Sequence, residues 1–329
     1  MAGKFMQAVW YTSYGGGAAS LKHVETPVPA PGNGEILLKV EAASINPLDC
    51  KIQKGMIRPI FPRKFPFIPV GDVAGEVVEV GPGVENFKAG DKIISTLGTA
   101  GGGLAEYAVA KETSTVQRPS EVSAADGACL GIAACTALHS LTISGGLKLE
   151  RNEPRSNVLV TAASGGVGHY AVQLAKLGNI HVTATCGARN IEFVKSLGAD
   201  EVLDYRTPEG AALKSPSGRK YDVVVHCATG ITWSTFEPNL GPTGKVIDIT
   251  PDGGAFWTYA VNKITFSKKQ LQPLVVSTPN AKKLECLAKL VKEGKLKTVI
   301  DSSYPLSKAE EAWAKSIEGH ATGKVVVEP

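Results

Sequence analysis

Alternation of hydrophobic and polar positions dominates the first part of the chain and predicts β-strands there. The segments at residues 5–10, 35–40 and 75–81 are rich in apolar and β-branched side chains, and glycine or proline lies close to their ends. Turn-forming glycines and prolines recur at short intervals up to about residue 125. We therefore expect a compact and mostly antiparallel β domain in this part of the chain.

The pattern changes near residue 124, where helical spacing begins and then alternates with short apolar strands. Residues 124–143 are apolar and alanine-rich, and they predict a helix. Further helices are predicted at residues 167–177 and 190–197, and strands at residues 158–161, 181–185, 201–204, 222–227 and 245–249. Apolar strands that alternate with helices indicate a parallel sheet covered on both faces.

From about residue 296 the chain returns to β-type segments. Residues 298–300 and 323–327 predict strands, with a short helix between them, and we expect this tail to rejoin the first domain. The predicted architecture is α/β, with a Rossmann doubly wound parallel sheet inserted in a discontinuous β-rich domain. The predicted boundaries are residues 1–127 plus 296–329 for the β-rich domain and 128–295 for the Rossmann domain.

Composition excludes several functional classes. The chain has 329 residues, 43% of them hydrophobic, and a formal net charge of +4, so it is neither disordered nor a strongly basic nucleic-acid binder. Its sequence shows no apolar run long enough to span a bilayer and no secretory signal at the N-terminus. None of the six cysteines forms a C-x-x-C pair, so a reducing compartment is the simpler interpretation.

A glycine-rich turn is the strongest chemical signal. Residues 162–168 read AASGGVG, follow a predicted strand and open a predicted helix, as a dinucleotide-binding fingerprint requires. The glycines permit the tight turn, close approach to a pyrophosphate and helix–strand packing, and the helix N-terminus favours anions. The alternative is a plain turn. The predicted phosphate-binding residues are Ser164, Gly165, Gly166, Val167 and Gly168.

The end of the next strand indicates which nicotinamide cofactor binds. An NAD site usually has an acidic residue about 20 positions after the glycines. Here residues 185–190 read TCGARN, and the first acid is Glu192. We predict NADPH, with Arg189 on the 2′-phosphate. Arg189 as a solvated residue at a helix start is the alternative. Other predicted contacts at this end are Gly187, Asn190 and Tyr205.

Together these motifs resemble the medium-chain dehydrogenase/reductase superfamily over nearly the whole chain, and within it the zinc-independent quinone oxidoreductase branch. The motifs are SINPLD at 44–49, PVGDVAG at 69–75, FKAGD at 87–91, GLAEY at 103–107, the glycine turn, LGAD at 197–200 and TGKV at 322–325. The resemblance implies a GroES-like fold for the β-rich domain. It also implies that Asn46, Thr136 and Lys324 contact the cofactor.

Departures from the zinc alcohol dehydrogenases of the superfamily narrow the implied chemistry. Asp72 stands where those enzymes have a histidine, and the four-cysteine zinc lobe is missing, so we expect no metal. The resemblance then implies hydride delivery from NADPH to quinones or to the C=C bond of α,β-unsaturated carbonyls. Such a reaction needs a donor at the substrate oxygen. Lys51 is our candidate catalytic residue, with an ordinary surface lysine as the alternative.

Basic residues concentrate in two segments, at 51–64 and 282–297. They could contact anionic lipid headgroups, or they could be solvated loops and helix faces. The resemblance to plant members of the branch implies a peripheral location at the chloroplast envelope without a cleavable transit peptide, and otherwise a cytoplasmic location. It also implies a homodimer.

One alternative function stays open at this stage. The chain could be a non-catalytic NADPH-binding protein with a structural or RNA-binding role, as some relatives of quinone oxidoreductases are. Against this, the sequence lacks RNA-binding motifs and interleaved aromatics, so we expect no nucleic-acid partner.

Overall fold

The structure is a computed structural model that describes residues 3–58, 62–149, 156–274 and 281–329. The strands in these residues are β1 (Phe5–Trp10), β2 (Lys22–Pro27), β3 (Glu35–Ile45), β4 (Asp72–Val80), β5 (Lys92–Thr96), β6 (Tyr107–Lys111), β7 (Thr115–Gln117), β8 (Asn157–Val160), β9 (His181–Cys186), β10 (Glu201–Asp204), β11 (Tyr221–His226), β12 (Leu240–Asp248), β13 (Gln270–Pro273), β14 (Ile300–Pro305) and β15 (Lys324–Glu328).

Shorter and longer helices connect these strands. They are α1 (Pro47–Gln53), α2 (Ala124–Ala128), α3 (Cys135–His139), α4 (Gly168–Leu177), α5 (Ile191–Ser196), α6 (Pro208–Ala211), α7 (Trp233–Phe236), α8 (Gly253–Ile264), α9 (Ala281–Lys292) and α10 (Ala309–Glu318). Within the residues that the structure describes, no helix is both long and apolar enough to cross a bilayer.

One compact unit contains residues 1–133, 278–294 and 298–329. Its main sheet has the strand order β14-β15-β3-β4-β5-β7, with β6 paired to β3. Strand β15 pairs antiparallel with β3, with Val325 opposite Ile45, so the end of the chain is part of this sheet. Buried aliphatic residues from β3, β4 and β5 pack with Trp313 of α10, which is fully buried, in a common core.

The other compact unit contains residues 134–277 and 295–297. Its sheet has the order β10-β9-β8-β11-β12-β13, and every pairing in it is parallel. All residues of β9 are buried, as expected for a strand covered on both faces. The strand order reverses between β8 and β11, and ligands of such sheets bind beyond the carboxyl ends of the strands at this point.

The predicted fold class is confirmed: a Rossmann-type parallel sheet and a β-rich domain are both present. The predicted domain boundaries differ from the compact units. The prediction assigned residues 281–292 to the Rossmann domain, whereas α9 packs against β7 and Lys292 lies 3.5 Å from Glu121, so the contacts group α9 with the first unit.

Several local predictions also need correction. The single helix predicted at 124–143 is divided into α2, a π-helical segment at Leu130–Ala134, α3 and a second π-helical segment at Ser140–Ser144. One cause is visible: the N–H of Ile132 donates to Asp72 Oδ2 at 2.8 Å, a side chain outside the helix. The strand predicted at 298–300 begins only at Ile300, and α8, α9 and β13 were not predicted.

Candidate cofactor site

The predicted phosphate turn lies at the reversal point of the parallel sheet. Strand β8 ends at Val160, the turn follows, and α4 begins at Gly168. A Cβ on Gly168 would overlap the carbonyl oxygen of Ala162 and the backbone of Ala163, so only glycine fits here. Ala162 itself has φ +47°, a left-handed conformation that is uncommon outside glycine. The sequence prediction placed this turn correctly.

The N-terminus of α4 is suited to an anion. Val167 occupies the N-cap, and no side chain caps the helix there. The first N–H groups of a helix have no intrahelical acceptor and carry partial positive charge. The turn is held by hydrogen bonds from Ala163 N–H to Thr185 oxygen at 2.8 Å and from Gly165 N–H to Ala162 oxygen at 3.0 Å. Such a turn can bind a pyrophosphate without a lysine or a metal ion.

The end of β9 is the predicted adenosine side of the site. Cys186, 1% exposed, ends the strand where an acidic residue is common in NAD sites. A Cβ on Gly187 would lie 3.5 Å from the ring of Tyr205, so these two predicted residues are close together. Arg189 is exposed on a short 3₁₀ turn, Ala188–Asn190.

Sequence reasoning missed Arg206 at this end of the site. Its guanidinium carbon lies 5.5 Å from the centre of the Tyr205 ring, and the backbone N–H of Arg206 donates to Asp204 Oδ1 at 3.0 Å. The signal was available, because Arg206 directly follows the predicted Tyr205. The structure thus adds a second cation at this end of the predicted site, where Asp204 lies opposite Cys186 in the register of β10 and β9.

Thr161, which directly precedes the glycine turn, forms hydrogen bonds with the end of β11 and with the loop that follows it. Its Oγ1 lies 2.9 Å from His226 Nδ1 and accepts a hydrogen bond from Cys227 N–H at 2.9 Å. Burial lowers the pKa of His226 to about 4, so the ring is neutral near pH 7. These contacts hold together the carboxyl ends of β8 and β11, the two strands between which the strand order reverses.

In the first unit, Asn46 is the centre of a buried polar cluster. Its Nδ2 donates to Asp72 Oδ2 at 2.9 Å and to Ser44 oxygen at 3.2 Å. The ammonium of Lys324 donates to Asn46 Oδ1 at 2.5 Å and to Ile45 oxygen at 3.3 Å. The orientation of the Asn46 amide is therefore set by an anion on one side and a cation on the other.

The same asparagine begins α1 through a capping box with Asp49. The carboxylate of Asp49 accepts the N–H of Asn46 at 2.8 Å. Burial raises the pKa of Asp49 to about 7, and the nearby Asp72 adds to the effect. Burial also raises the pKa of Asp72, against the opposing effect of Lys324.

The remaining predicted residues are placed as follows. Lys324 is 2% exposed, and its ammonium donates hydrogen bonds to Asn46 Oδ1 and to Ile45 oxygen. Thr136 is nearly buried on α3. Lys51 is half-buried on α1. Its helix neighbours Asp49 and Ile52 line a shallow surface recess that also includes Phe67 and Val70.

Two family models match two separate parts of the chain. A model described as the alcohol dehydrogenase GroES-like domain matches residues 32–120, and one described as zinc-binding dehydrogenase matches residues 197–327.

Known proteins match the whole chain. The chloroplast envelope quinone oxidoreductase homolog of Arabidopsis thaliana is 70% identical over 330 residues, with 100% of both chains covered. The NADPH-dependent alkenal/one oxidoreductase, chloroplastic, of Arabidopsis thaliana is 32% identical, with 99% of this chain and 80% of its own length covered. The structure of the quinone oxidoreductase from Coxiella burnetii superposes with a TM-score of 0.86 at 30% identity, covering 99% of this chain and 100% of that one.

Proposed function

The chain belongs to the medium-chain dehydrogenase/reductase superfamily as a quinone oxidoreductase homologue, and from that premise we propose that it is a zinc-independent NADPH-dependent reductase. Its proposed acceptors are quinones or the C=C bond of α,β-unsaturated carbonyls. The observation that carries the proposal is the glycine turn at the reversal point of the sheet, where only glycine fits at residue 168. Relatives named as quinone oxidoreductases and as alkenal/one reductases support the two acceptor classes.

NADPH is proposed over NADH because of the charges at the end of β9. An acidic side chain there would accept the ribose hydroxyls of NADH and would repel a 2′-phosphate. The chain instead has the buried Cys186 followed by the exposed Arg189, with Arg206 beside Tyr205. Two guanidinium groups at this end suit a phosphate, which they can bind through charge-assisted hydrogen bonds.

The proposed mechanism depends mainly on positioning. When bound, the cofactor supplies hydride to an electron-poor carbon of the substrate. The turn at 164–168 holds the pyrophosphate, and Asn46 is held in one orientation by Asp72 and Lys324 for contact with the nicotinamide ribose. Lys51 donates to the substrate oxygen, on which negative charge develops. With an enone, water supplies the proton to the carbon next to the carbonyl group, and with a quinone it supplies the proton to oxygen.

Zinc fits poorly at Asp72, the position at which the zinc alcohol dehydrogenases of the superfamily have a histidine. Asp72 Oδ2 already accepts hydrogen bonds from Asn46 Nδ2 and from Ile132 N–H. The ammonium of Lys324 donates a hydrogen bond to the same Asn46. A metal cation would meet this positive charge and would lack partners, because the described residues contain no group of three potential His, Cys, Asp or Glu ligands. We therefore propose no step that uses a metal.

The experiment that tests the function is NADPH consumption with a panel of quinones, short enals and longer enones. We expect turnover with at least one class and slower turnover with NADH. Tight NADPH binding without turnover on any acceptor would contradict the proposal and favour the non-catalytic alternative. Metal content and the effect of a chelator on the turnover test zinc independence in the same preparation.

We base the proposed location and assembly of this protein on its relatives. Three relatives that match over the full chain are named as chloroplastic or chloroplast envelope proteins, and we propose a chloroplast location with peripheral contact to an anionic membrane surface. A homodimer is proposed on family resemblance.

The two basic segments, at 51–64 and 282–297, are only partly available for such a membrane contact. In the first segment, residues 59–61 lie outside the described residues. In the second segment, Lys292 lies 3.5 Å from Glu121 and Lys289 lies 4.0 Å from Glu293. These ion pairs reduce the charge available for lipid headgroups.

A further inference from the structure

Tyr11, which directly follows β1, is a buried tyrosine whose hydroxyl group is unsatisfied. The side chain is 0% exposed, and its hydroxyl oxygen has no hydrogen-bond partner. The backbones of Tyr11 and Phe67 pair through two hydrogen bonds of 2.9 and 3.0 Å, and their ring centres lie 5.5 Å apart. Burial raises the pKa of Tyr11 well above its usual value, against the opposing effect of Arg63, so the hydroxyl stays protonated at neutral pH. It is therefore a buried donor without an acceptor.

Arg63 adds two further unsatisfied donors beside the same phenylalanine. Its guanidinium carbon lies 5.2 Å from the centre of the Phe67 ring, and its backbone N–H donates to the hydroxyl oxygen of Tyr14 at 2.7 Å. The residue as a whole is half-buried, but its Nε and Nη2 are buried, and neither has a hydrogen-bond partner among the described residues. These two nitrogens form one edge of the planar guanidinium, which can bind both oxygens of a carboxylate.

The surrounding segments provide no acidic side chain for this guanidinium. Residues 5–14, 50–70 and 97–103 contain no aspartate or glutamate, whereas five basic residues lie between positions 51 and 64. Asp49, just before the second segment, uses its carboxylate to accept the N–H of Asn46. A buried cation without a partner is costly to the folded state, so its presence calls for an anion from outside the chain.

Phe67 connects this pair of donor residues to the recess beside α1. The recess is lined on one side by Ile52, Phe67 and Val70, and Gly101 lies against the Phe67 ring, where a Cβ would come within 2.6 Å of it. Lys51, the proposed donor to the acceptor oxygen, belongs to the same helix as Ile52. An acceptor bound by Lys51 therefore has apolar surface next to it, and the unsatisfied donors lie against the same Phe67 ring.

We propose that Arg63 and Tyr11 form a subsite for a carboxylate group of the substrate, so that the enzyme prefers acceptors whose apolar chain ends in a carboxylate. The Nε–H and Nη2–H of Arg63 bind the two carboxylate oxygens, and the hydroxyl of Tyr11 donates to one of them. The planar carboxylate matches the planar edge of the guanidinium. This proposal rests on the reductase function proposed above and specifies its class of acceptor.

The kinetic test uses an accepted enone or quinone with a side chain that ends in a carboxylate, and the methyl ester of the same compound, in a series of side-chain lengths. For the best-fitting length, we expect the wild type to have a KM for the acid that is lower than that for the ester by roughly tenfold or more, with similar kcat. Arg63→Met should remove most of this difference by raising the KM of the acid. Tyr11→Phe, which removes only the hydroxyl, should raise it by a smaller factor. Lys64→Met, the same loss of charge at an exposed neighbour, should keep the full difference.

Two measurements do not depend on turnover. In thermal unfolding without ligand, Arg63→Met should be at least as stable as the wild type, because it removes a buried cation that has no partner in the described residues. In calorimetric titration, the wild type should bind octanoate, an unreactive carboxylate with an apolar chain, more tightly than acetate. Arg63→Met should bind octanoate more weakly by roughly tenfold or more.

The two proposals fail in different ways. No turnover on any acceptor would overturn the reductase function, and the octanoate titration would then decide the subsite alone. Equal KM values for every acid and its ester in the wild type would overturn the subsite, as would equal octanoate binding by the wild type and folded Arg63→Met. Acetate binding as tight as that of octanoate would assign the donors to a free anion instead of a substrate group. A marked loss of stability in Arg63→Met would make Arg63 a structural residue and would also overturn the subsite.

Discussion

The ammonium of Lys324 donates a hydrogen bond to Oδ1 of Asn46, and both side chains are 2% exposed. The two residues are 278 positions apart in the chain and meet because β15 pairs with β3. The side-chain amide of Asn46 lies between Lys324 and Asp72, because its Nδ2 donates a hydrogen bond to Asp72 Oδ2. The positive charge of Lys324 opposes the effect of burial on the pKa of Asp72.

Replacement of Lys324 by methionine should strongly destabilise the protein. The substitution keeps most of the side-chain volume but removes the donor of two buried hydrogen bonds, to Asn46 Oδ1 and to Ile45 oxygen. Each buried acceptor left without a partner costs about 1–3 kcal/mol. Urea unfolding measures the loss. Lys88→Met, at an exposed position, should change the free energy of unfolding by less than about 0.5 kcal/mol. Equal stability of the two variants would contradict the proposed role of Lys324.

Asp49 should make the protein less stable as the pH rises. Burial raises its pKa to about 7, so between about pH 4 and 7 the folded state binds more protons than the unfolded state. The stabilisation from the protonated carboxyl is full below about pH 4 and is lost as the pH rises through 7, with a slope of at most about 1.4 kcal/mol per pH unit. Asp49→Asn should flatten this slope in unfolding measured from pH 4 to 8. A slope that the substitution leaves unchanged would assign the pH dependence to other groups.

Arg189→Ala should lower the affinity for NADPH by roughly tenfold to 150-fold, which corresponds to the loss of about 1.5–3 kcal/mol from hydrogen bonds to a charged group. NADH affinity should be nearly unchanged, because NADH lacks the 2′-phosphate. Fluorescence titration with both cofactors measures the ratio. Lys195→Ala, on the neighbouring α5, is the matched control. If Arg189→Ala leaves the preference for NADPH over NADH as it is, the assignment of this residue is wrong.

Gly168→Ala should impair both folding and cofactor binding. The added methyl group overlaps the backbone at Ala162 and Ala163, which cannot give way as a flexible side chain could, and overpacking of this kind costs about 1–3 kcal/mol. Thermal unfolding and NADPH titration measure the two effects. Gly253→Ala, where a Cβ meets nothing within 4 Å, should have neither. Normal NADPH binding by Gly168→Ala would argue against this turn as the pyrophosphate site.

Lys51→Met should lower kcat by about 10²–10³-fold, the usual effect of removing one donor from a developing oxyanion, with little change in NADPH affinity. Lys54→Met, at an exposed position just after α1, should have no such effect. Steady-state kinetics on an accepted quinone and on an accepted enone separate kcat from KM. Full turnover of Lys51→Met on every accepted substrate would remove Lys51 from the mechanism.

Local sequence was sufficient for the glycine turn and for most strands around it. The turn at 162–168 needs residues that are adjacent in the chain, and β8, β9 and β11 are apolar over lengths that match buried strands. Arg206 was missed, although it is next to Tyr205, because its relation to the ring depends on the turn after β10. The π-helical segment at Leu130–Ala134 could not be predicted, since the hydrogen bond from Ile132 goes to Asp72, which is distant in sequence.

The sequence by itself determined the alternation of strands and helices, the phosphate turn and the absence of an acid after β9, because periodicity and glycine placement act over a few neighbouring residues. Only the tertiary structure decided that Lys324 lies under Asn46, because that contact needs two strands to pair across the length of the chain. It also decided that the apolar side of α8 faces outward. The pattern of a helix shows that two sides differ, but the packing around it determines which side is buried.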